Sequence, residues 1–399
     1  MVPEPITAPS TMNIDFDHTD PAFIQNPYDT VRTLLRECPV ARSTKFGGFW
    51  VLSRYQDLIA AARDTETFCS GQGVSLPVFG SPVPMVPVEA DPPAHSAFRK
   101  ILQREFTRTR MVAMEQSIRD LTNRLIDGFV DRGHGDLSTE LALPIPPIVI
   151  AELLGLPDSD WERFYAYTQK MIDAAKNDDL EANIEAALEF CTYLAQTLDD
   201  RRAEPRDDML TRLVQAEVDG RLLTEDEALG MCLLIVVAGH ETTVGGISSL
   251  LMHVARDPEL KLQLLDDPTL IPKAVEETLR LDPPLQGMAR TVTKDVNVGD
   301  QWLREGDKVW LLWTAGNRDP EQFENADKFD LDRRPNRHLS FGEGAHRCIG
   351  APLAQVEMRV VLEEVLRRIP DFEVTDWNAV TFGGGQSRHV GHLPVHWGS

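Results

Sequence analysis

At 399 residues the chain is long enough to bury a large core, and length alone suggests two or three domains. Its 63 acidic against 40 basic residues leave a formal charge of −23, which argues against nucleic acid as a partner. Five widely spaced cysteines (Cys38, Cys69, Cys191, Cys232, Cys348), with no C-x-x-C pair, exclude a disulfide framework and a zinc site.

Met1 to Asp20 has neither the basic nor the apolar region of a signal peptide, and it reads as a loose N-terminal arm reaching Pro21. Tyr28 to Cys38 predicts a helix, Phe49-Trp50-Val51-Leu52 a strand, and Tyr55 to Asp64 a second helix. From Ser70 to Pro93 six prolines (Pro77, Pro82, Pro84, Pro87, Pro92, Pro93) exclude regular structure. A long loop of this kind is either a rigid surface loop or a functional lid. Asp91-Pro92-Pro93-Ala94-His95 then opens a helix, with Asp91 as N-cap and Pro92 in the first turn. His95 and Arg99 are four apart and share one helix face. They suit an anionic group such as a carboxylate, or form an ordinary solvated pair. Lys100, Arg104 and Arg108 follow at spacing four as a basic stripe beside them.

Between Met111 and Asp208 helices alternate with punctuation. One runs from Pro147 to Leu154 and ends at Gly155 and Pro157, another begins near Asp160, and the charged stretch Asp173 to Glu181 reads as a helix–helix loop. Thr224 and Glu227 make a capping box. The helix they open is expected to reach His253 or Arg256 and to stop at Asp257-Pro258. Its longest apolar run, Ala228 to Gly239, is too short to span a bilayer, and a helix apolar on all sides is buried. Glu241 and Thr242 inside it are costly without partners. Gly239, Gly245 and Gly246 each weaken it by about 1 kcal/mol relative to Ala, and they would permit close approach by a flat ligand. A threonine hydroxyl can bond back to the carbonyl four residues earlier and distort the helix. Glu277 and Arg280 lie three apart on one helix face. After Pro283-Pro284, Leu285 to Ala289 reads as a strand, and Gly383-Gly384-Gly385-Gln386-Ser387 as a turn between late strands.

Three glycines in Phe341 to Gly350 let the backbone turn tightly. A thiolate at Cys348 would be favoured by N–H donors and by the positive end of the helix that begins at Ala351-Pro352. Taken alone, Cys348 reads as a buried thiol in a loop. However, Phe341, Gly344, Cys348 and Gly350 match the signature Phe-x-x-Gly-x-x-x-Cys-x-Gly, and on them the chain resembles the cytochrome P-450 family. The other motifs occur in the family's order, so the resemblance covers essentially the whole chain.

The resemblance implies one continuous domain over residues 1–399, mainly α with small β-sheets (α+β), with a long central helix over a haem. Cys348 would be the iron ligand of haem b (iron protoporphyrin IX), set in the loop of Phe341, Gly344 and Gly350. The pattern Asp-Pro-Pro-x-His-x-x-x-Arg is similar to the family's motif for haem propionates, which assigns His95 and Arg99; Arg290 and His338 fall where the family places two more. Ala-Gly-x-Glu-Thr-Thr resembles the oxygen-activation motif, in which Glu241 and Thr242 deliver protons and the helix is locally distorted; His240 sits at a variable position and takes no role. Glu277 and Arg280 resemble the family's structural ion pair, with Arg333 rather than Arg334 as third partner. The helix pair around Asp160 to Glu181 would be a mobile roof. The pocket would be lined by Leu234, Val237, Ala238, Gln286, Met288, the Val74–Phe79 loop and the late-strand tip.

The expected activity is that of a soluble, cytoplasmic, bacterial-type haem-thiolate monooxygenase. It would place one atom of dioxygen in an apolar small molecule by hydroxylation, epoxidation or dealkylation. No reductase segment follows Ser399, so electrons are expected from a separate ferredoxin or flavoprotein docking at Lys100, Arg104 and Arg347. The alternatives are a peroxide-driven peroxygenase of the same fold and a haem sensor or carrier. Retained Glu241 and Thr242 argue against both.

Overall fold

The computed structural model describes residues 13–77, 81–156, 163, 166, 170 and 180–398. The largest sheet is built from β1 (Asn13–Ile14), β2 (Val40–Ser43), β3 (Phe49–Leu52), β4 (Phe68–Cys69), β5 (Met288–Val292) and β6 (Lys308–Leu311), in the order β1-β2-β3-β6-β5-β4. Every side chain of β3 is buried. Phe49 and Val51 enter one apolar cluster and Trp50 and Leu52 another. A sheet covered on both faces accounts for the uninterrupted apolar run.

The arm is anchored rather than loose from Asn13 onward. β1 pairs in parallel with β2. Phe16 and His18 are buried, and the His18 ring stacks on Trp310 at 4.1 Å. Burial pushes the His18 pKa down to about 4. The rest of the expected arm, residues 1–12, lies outside the described residues.

The early helices are α1 (Tyr28–Glu37), α2 (Tyr55–Arg63), α3 (Ala94–Gln103), α4 (Glu115–Asp127) and α5 (Ile145–Leu154), the last ended by Gly155 in a left-handed conformation (φ 88°). Asp91 does not cap α3. Its carboxylate instead accepts from the N–H groups of Ser70 and Gly71, at 2.7 and 2.9 Å, and ties the irregular loop to the helix start. Nor does α3 reach Arg108, which begins a separate helix after Thr107, so the basic stripe is broken. The helix expected near Asp160 and most of the Asp173 to Glu181 loop lie outside the described residues; α6 (Leu180–Ala203) already includes Leu180 and Glu181.

After α7 (Met209–Val214) comes the central helix α8 (Glu225–Arg256). Thr224 accepts from the Glu227 N–H at 3.2 Å, and the Glu227 carboxylate accepts from the Thr224 N–H at 2.8 Å. The helix is long and apolar enough to cross a membrane, contrary to the count of its longest apolar run, but 61% of that window is buried inside the protein. It packs on α5, on α10 (Ala351–Arg368) and on β8 (Arg388–His392), with α9 (Ile271–Leu281) alongside. The hairpin partner of β8 is β7 (Thr381–Gly384). The glycines of α8 accommodate other parts of the protein. A Cβ on Gly239 would lie 2.5 Å from Ile150, one on Gly245 2.5 Å from the Arg388 carbonyl oxygen, and one on Gly246 2.8 Å from Met358.

The strand after Pro284 begins later than expected, at Met288. Gln286 and its neighbours bond instead to the β7–β8 turn: the Gln286 N–H donates to the Gln386 carbonyl at 3.0 Å, and Leu285 bridges Ser387.

Candidate active site

The cysteine loop folds back on itself through the Cys348 N–H, which donates to the Phe341 carbonyl at 2.7 Å. Gly344 has φ +72°, and a Cβ there would sit 2.6 Å from the Ala62 carbonyl oxygen, so glycine lets the loop lie against α2. Cys348 opens onto a cavity of about 400 Å³ between the loop, α8 and the start of α10. Its exposure is to that cavity, and the surrounding protein desolvates the thiol. Burial pushes its pKa up; the N–H groups of Gly350 and Ala351, and the cations Arg99 and Arg347, pull it back. This donor set suits a metal-bound thiolate.

A ring of nitrogen donors lines the same cavity. His95 is 2% exposed, and neither ring nitrogen has a hydrogen-bond partner among the described residues. Its ring lies 4.2 Å from that of His346. Arg290 is buried, which lowers its pKa to about 10. Arg99 donates to the Arg347 carbonyl at 2.5 Å, joining α3 to the cysteine loop. The unpartnered, buried His95 beside two arginines calls for an anionic partner. Two carboxylates on the edge of a haem fit them, with Cys348 in place for the iron.

His338 does not belong to this ring. Its Nε2 bonds Glu276 at 3.1 Å, and it does not line the cavity. His346, which the sequence reading passed over, lines the cavity beside His95 instead and also bonds Ser70 Oγ at 3.2 Å. Burial, then Arg290 and His95, push the His346 pKa down to about 3. Its only sequence signal was a histidine two positions before the ligand.

Glu241 and Thr242 line the cavity on α8, with Leu234, Val237 and Ala238 on the preceding turns. The Thr242 hydroxyl donates to the Ala238 carbonyl at 2.8 Å, yet α8 continues unbroken, so the expected local distortion is absent among the described residues. Met288, Val74, Leu76 and Pro77 also line the cavity. Gln286 does not, because its buried amide donates to the Gly385 carbonyl at 2.8 Å. Phe79 lies outside the described residues. A further cavity residue was missed: Glu357 on α10 is 1% exposed, and its Oε2 has no partner. Burial raises its pKa well above the usual carboxylate range, which favours its neutral form.

Outside the cavity, Glu277 meets both expected arginines. Arg280 donates to it through Nε at 2.9 Å and Nη2 at 2.8 Å, and Arg333 through Nε at 3.0 Å. Lys100, Arg104 and Arg347 are exposed. Lys100 and Arg104 border a second cleft, of about 690 Å³, together with Glu105, Arg212 and Asp219.

Comparison with known proteins agrees with this geometry. A family model described as Cytochrome P450 matches residues 159–376. Cytochrome P450 130 of Mycobacterium tuberculosis is 35% identical over 398 residues, covering 96% of this chain and 98% of that protein. The mycinamicin IV hydroxylase/epoxidase of Micromonospora griseorubida is 37% identical, over 80% of this chain and 82% of its own. Among solved structures, the bacillaene polyketide synthase cytochrome P450 PksS of Bacillus subtilis superimposes with a TM-score of 0.89 at 31% identity, covering 96% of this chain and 100% of that one.

Proposed function

The chain belongs to the cytochrome P450 family and is a haem-thiolate monooxygenase, and from that premise we propose a specific reading of its site and chemistry. The substrate is an apolar small molecule that receives one oxygen atom by hydroxylation, epoxidation or dealkylation. Relatives named as hydroxylase and epoxidase support the first two. The cofactor is haem b, the electron donor a separate ferredoxin or flavoprotein, the compartment the cytoplasm, and the chain one domain. The observation that carries the reading is that one cavity joins Cys348, with the N–H groups of Gly350 and Ala351, to Glu241 and Thr242.

When bound, the haem supplies the oxidising chemistry, which a thiolate ligand favours by promoting O–O cleavage. The protein's own residues hold, shield and feed it. Cys348 binds the iron in its charged form. Phe341, Gly344 and Gly350 shape the loop that holds the sulfur. His95, Arg99, Arg290 and His346 bind the propionates, which gives the unpartnered His95 ring an acceptor and the two arginines an anion. Leu234, Val237, Ala238 and Met288 accept an apolar skeleton and exclude water. The Thr242 hydroxyl commits its hydrogen to Ala238, which leaves lone pairs to accept from a water. Rotation of the side chain frees the same hydrogen for donation, and Glu241, one residue earlier, resupplies it. Glu277, Arg280 and Arg333 tie α9 to the irregular segment that leads into the cysteine loop.

The test is spectroscopic. The reduced, carbon-monoxide-bound protein is expected to absorb near the wavelength diagnostic of thiolate ligation, and Cys348→His to lose that band together with activity. An unchanged band in Cys348→Ala would overturn the assignment.

A further inference from the structure

His346 brings with it a partner that has no role so far. Its Nε2 lies 3.2 Å from Ser70 Oγ, the one hydrogen bond of that ring among the described residues. Ser70 is 1% exposed and does not line the cavity. It follows β4 directly, and Cys69 of β4 pairs with Thr291, the neighbour of Arg290 on β5.

Asp91 fixes Ser70 in place. Its carboxylate accepts from the Ser70 N–H at 2.7 Å and from the Gly71 N–H at 2.9 Å, and a Cβ on Gly71 would lie 2.8 Å from its Oδ2. The Asp91 carbonyl in turn accepts from the His95 N–H at 2.9 Å. Asp91 thus references both histidines, His95 through its backbone and His346 through Ser70, and the two rings lie 4.2 Å apart.

A carboxylate only accepts, so a ring nitrogen that faces a propionate has to carry a hydrogen. Burial, then Arg290, His95 and Arg99, favour the neutral form of His346, which has one N–H and one acceptor nitrogen. Nε2 is committed to Ser70, which leaves Nδ1 for the propionate. With the hydrogen on Nδ1, Nε2 is the acceptor, and a buried acceptor without a donor is costly. The Ser70 hydroxyl is the donor within reach. Which imidazole nitrogen holds the hydrogen is set by the bond that the other one makes.

We propose that Ser70 is a positioning residue for the haem: its hydroxyl donates to His346 Nε2, keeps the His346 hydrogen on Nδ1, and so makes that ring a donor to a propionate. The proposal rests on the cavity being the haem site. Its consequence for the reaction is electrostatic. A hydrogen bond to a propionate offsets negative charge near the iron and favours the reduced metal, so the hydrogen on one imidazole bears on how readily the iron is reduced.

The experiment compares the full-length, haem-loaded wild type with Ser70→Ala, His346→Ala and the double variant. Alanine at position 70 keeps the N–H that Asp91 holds, so the loop stays anchored. Resonance Raman spectroscopy reads the propionate bending band, redox titration the reduction potential, and apomyoglobin the rate of haem loss. Ser70→Ala is expected to shift the propionate band in the same direction as His346→Ala, to lower the reduction potential, and to speed haem loss about tenfold, the lower end for a hydrogen bond to a charged group. In the His346→Ala background the same substitution should change none of the three, because its effect passes through the ring. A merely structural serine would act equally in both backgrounds. Equal effects in both backgrounds overturn the proposal. So does an unchanged band and potential in Ser70→Ala. His346→Ala separates the causes: if it leaves the propionate band unmoved, the propionate role of His346 falls and the proposal with it, whereas a band moved by His346→Ala but not by Ser70→Ala defeats only the role of Ser70.

Discussion

Glu277 and Arg280 form a two-pronged ion pair one helical turn apart on α9, at 1% and 0% side-chain exposure. Arg280 also donates to the carbonyls of Asn317 and Ala326, at 2.9 and 2.7 Å. Arg333 and the Asp330 N–H both reach Glu277 at 3.0 Å. One carboxylate thus ties α9 to the segment that leads into the cysteine loop. Removing one partner of a buried pair strands the other charge and costs about 3–5 kcal/mol. Glu277→Ala is therefore expected to lower the unfolding midpoint strongly and to shed haem, as read by thermal denaturation followed at the Soret band. A midpoint close to wild type would mean that the pair is dispensable.

His346 and His338 make opposite predictions about haem retention. His346 lines the cavity beside His95, whereas His338 bonds Glu276 outside it. Loss of one hydrogen bond to a charged group costs about 1.5–3 kcal/mol. His346→Ala should accordingly hold haem about tenfold to hundredfold less tightly, measured as faster transfer to apomyoglobin. His338→Ala should transfer it at close to the wild-type rate. The reverse order would return the propionate role to His338.

Thr242 and Glu241 should govern coupling rather than binding. Thr242→Ala is expected to keep haem and substrate affinity, to consume reductant, and to release hydrogen peroxide in place of product. Loss of a well-placed proton relay typically costs about 10²–10⁴-fold in rate. Product formed per reductant consumed is the measurement. Wild-type coupling in both Thr242→Ala and Glu241→Ala would remove the relay assignment.

What the sequence made legible follows from range. The capping box at Thr224 and Glu227, the Cys348 loop and the Glu277–Arg280 pair are each decided within a few residues, and each forms as read. Gln286 was misread as pocket lining because its partner, Gly385, is 99 residues away, and no local pattern records that bond. The basic stripe failed at Arg108 because the chain turns after Gln103 to bury Glu105 and Phe106. The glycines of α8 suggested a flat ligand; Gly239 does line the cavity, with Ile150 beside it, whereas Arg388 and Met358 fill the space beside Gly245 and Gly246. Such packing is a property of the assembled fold.

Glu357 predicts a pH dependence of stability. Its folded pKa is raised by burial, so the protonated form is favoured in the folded state. The sign follows from linkage. Its contribution is fully present below the unfolded value of about 4.3 and is lost as pH rises toward the raised folded value. Glu357→Gln keeps the shape of the neutral acid and removes the titration. Across pH 5 to 8, as a working range of about three units, the variant should lose less stability than wild type. Parallel curves would show that Glu357 is not the neutral acid that its surroundings require.

The electron donor should find the protein through Lys100 and Arg104 together with Arg347. All three are exposed. Lys100 lies on α3, Arg104 at its C-terminal cap and Arg347 on the cysteine loop, and Arg99 links helix and loop through its bond to the Arg347 carbonyl. On a chain of net charge −23 we propose these three cations as the docking site. An acidic iron–sulfur or flavin protein would be steered toward them, which raises the association rate more than the affinity. Reduction of the iron should slow as salt shortens the screening length, about 10 Å at 0.1 M. Lys100→Glu combined with Arg104→Glu should slow it several-fold at low salt and leave substrate affinity unchanged. Arg108→Glu is the internal control, because Arg108 begins a different helix and should matter little. Stopped-flow reduction under carbon monoxide reads the wild type and both variants. If the double variant is reduced as fast as wild type at low salt, the donor docks elsewhere and the two cations serve only the neighbouring cleft with Glu105 and Asp219.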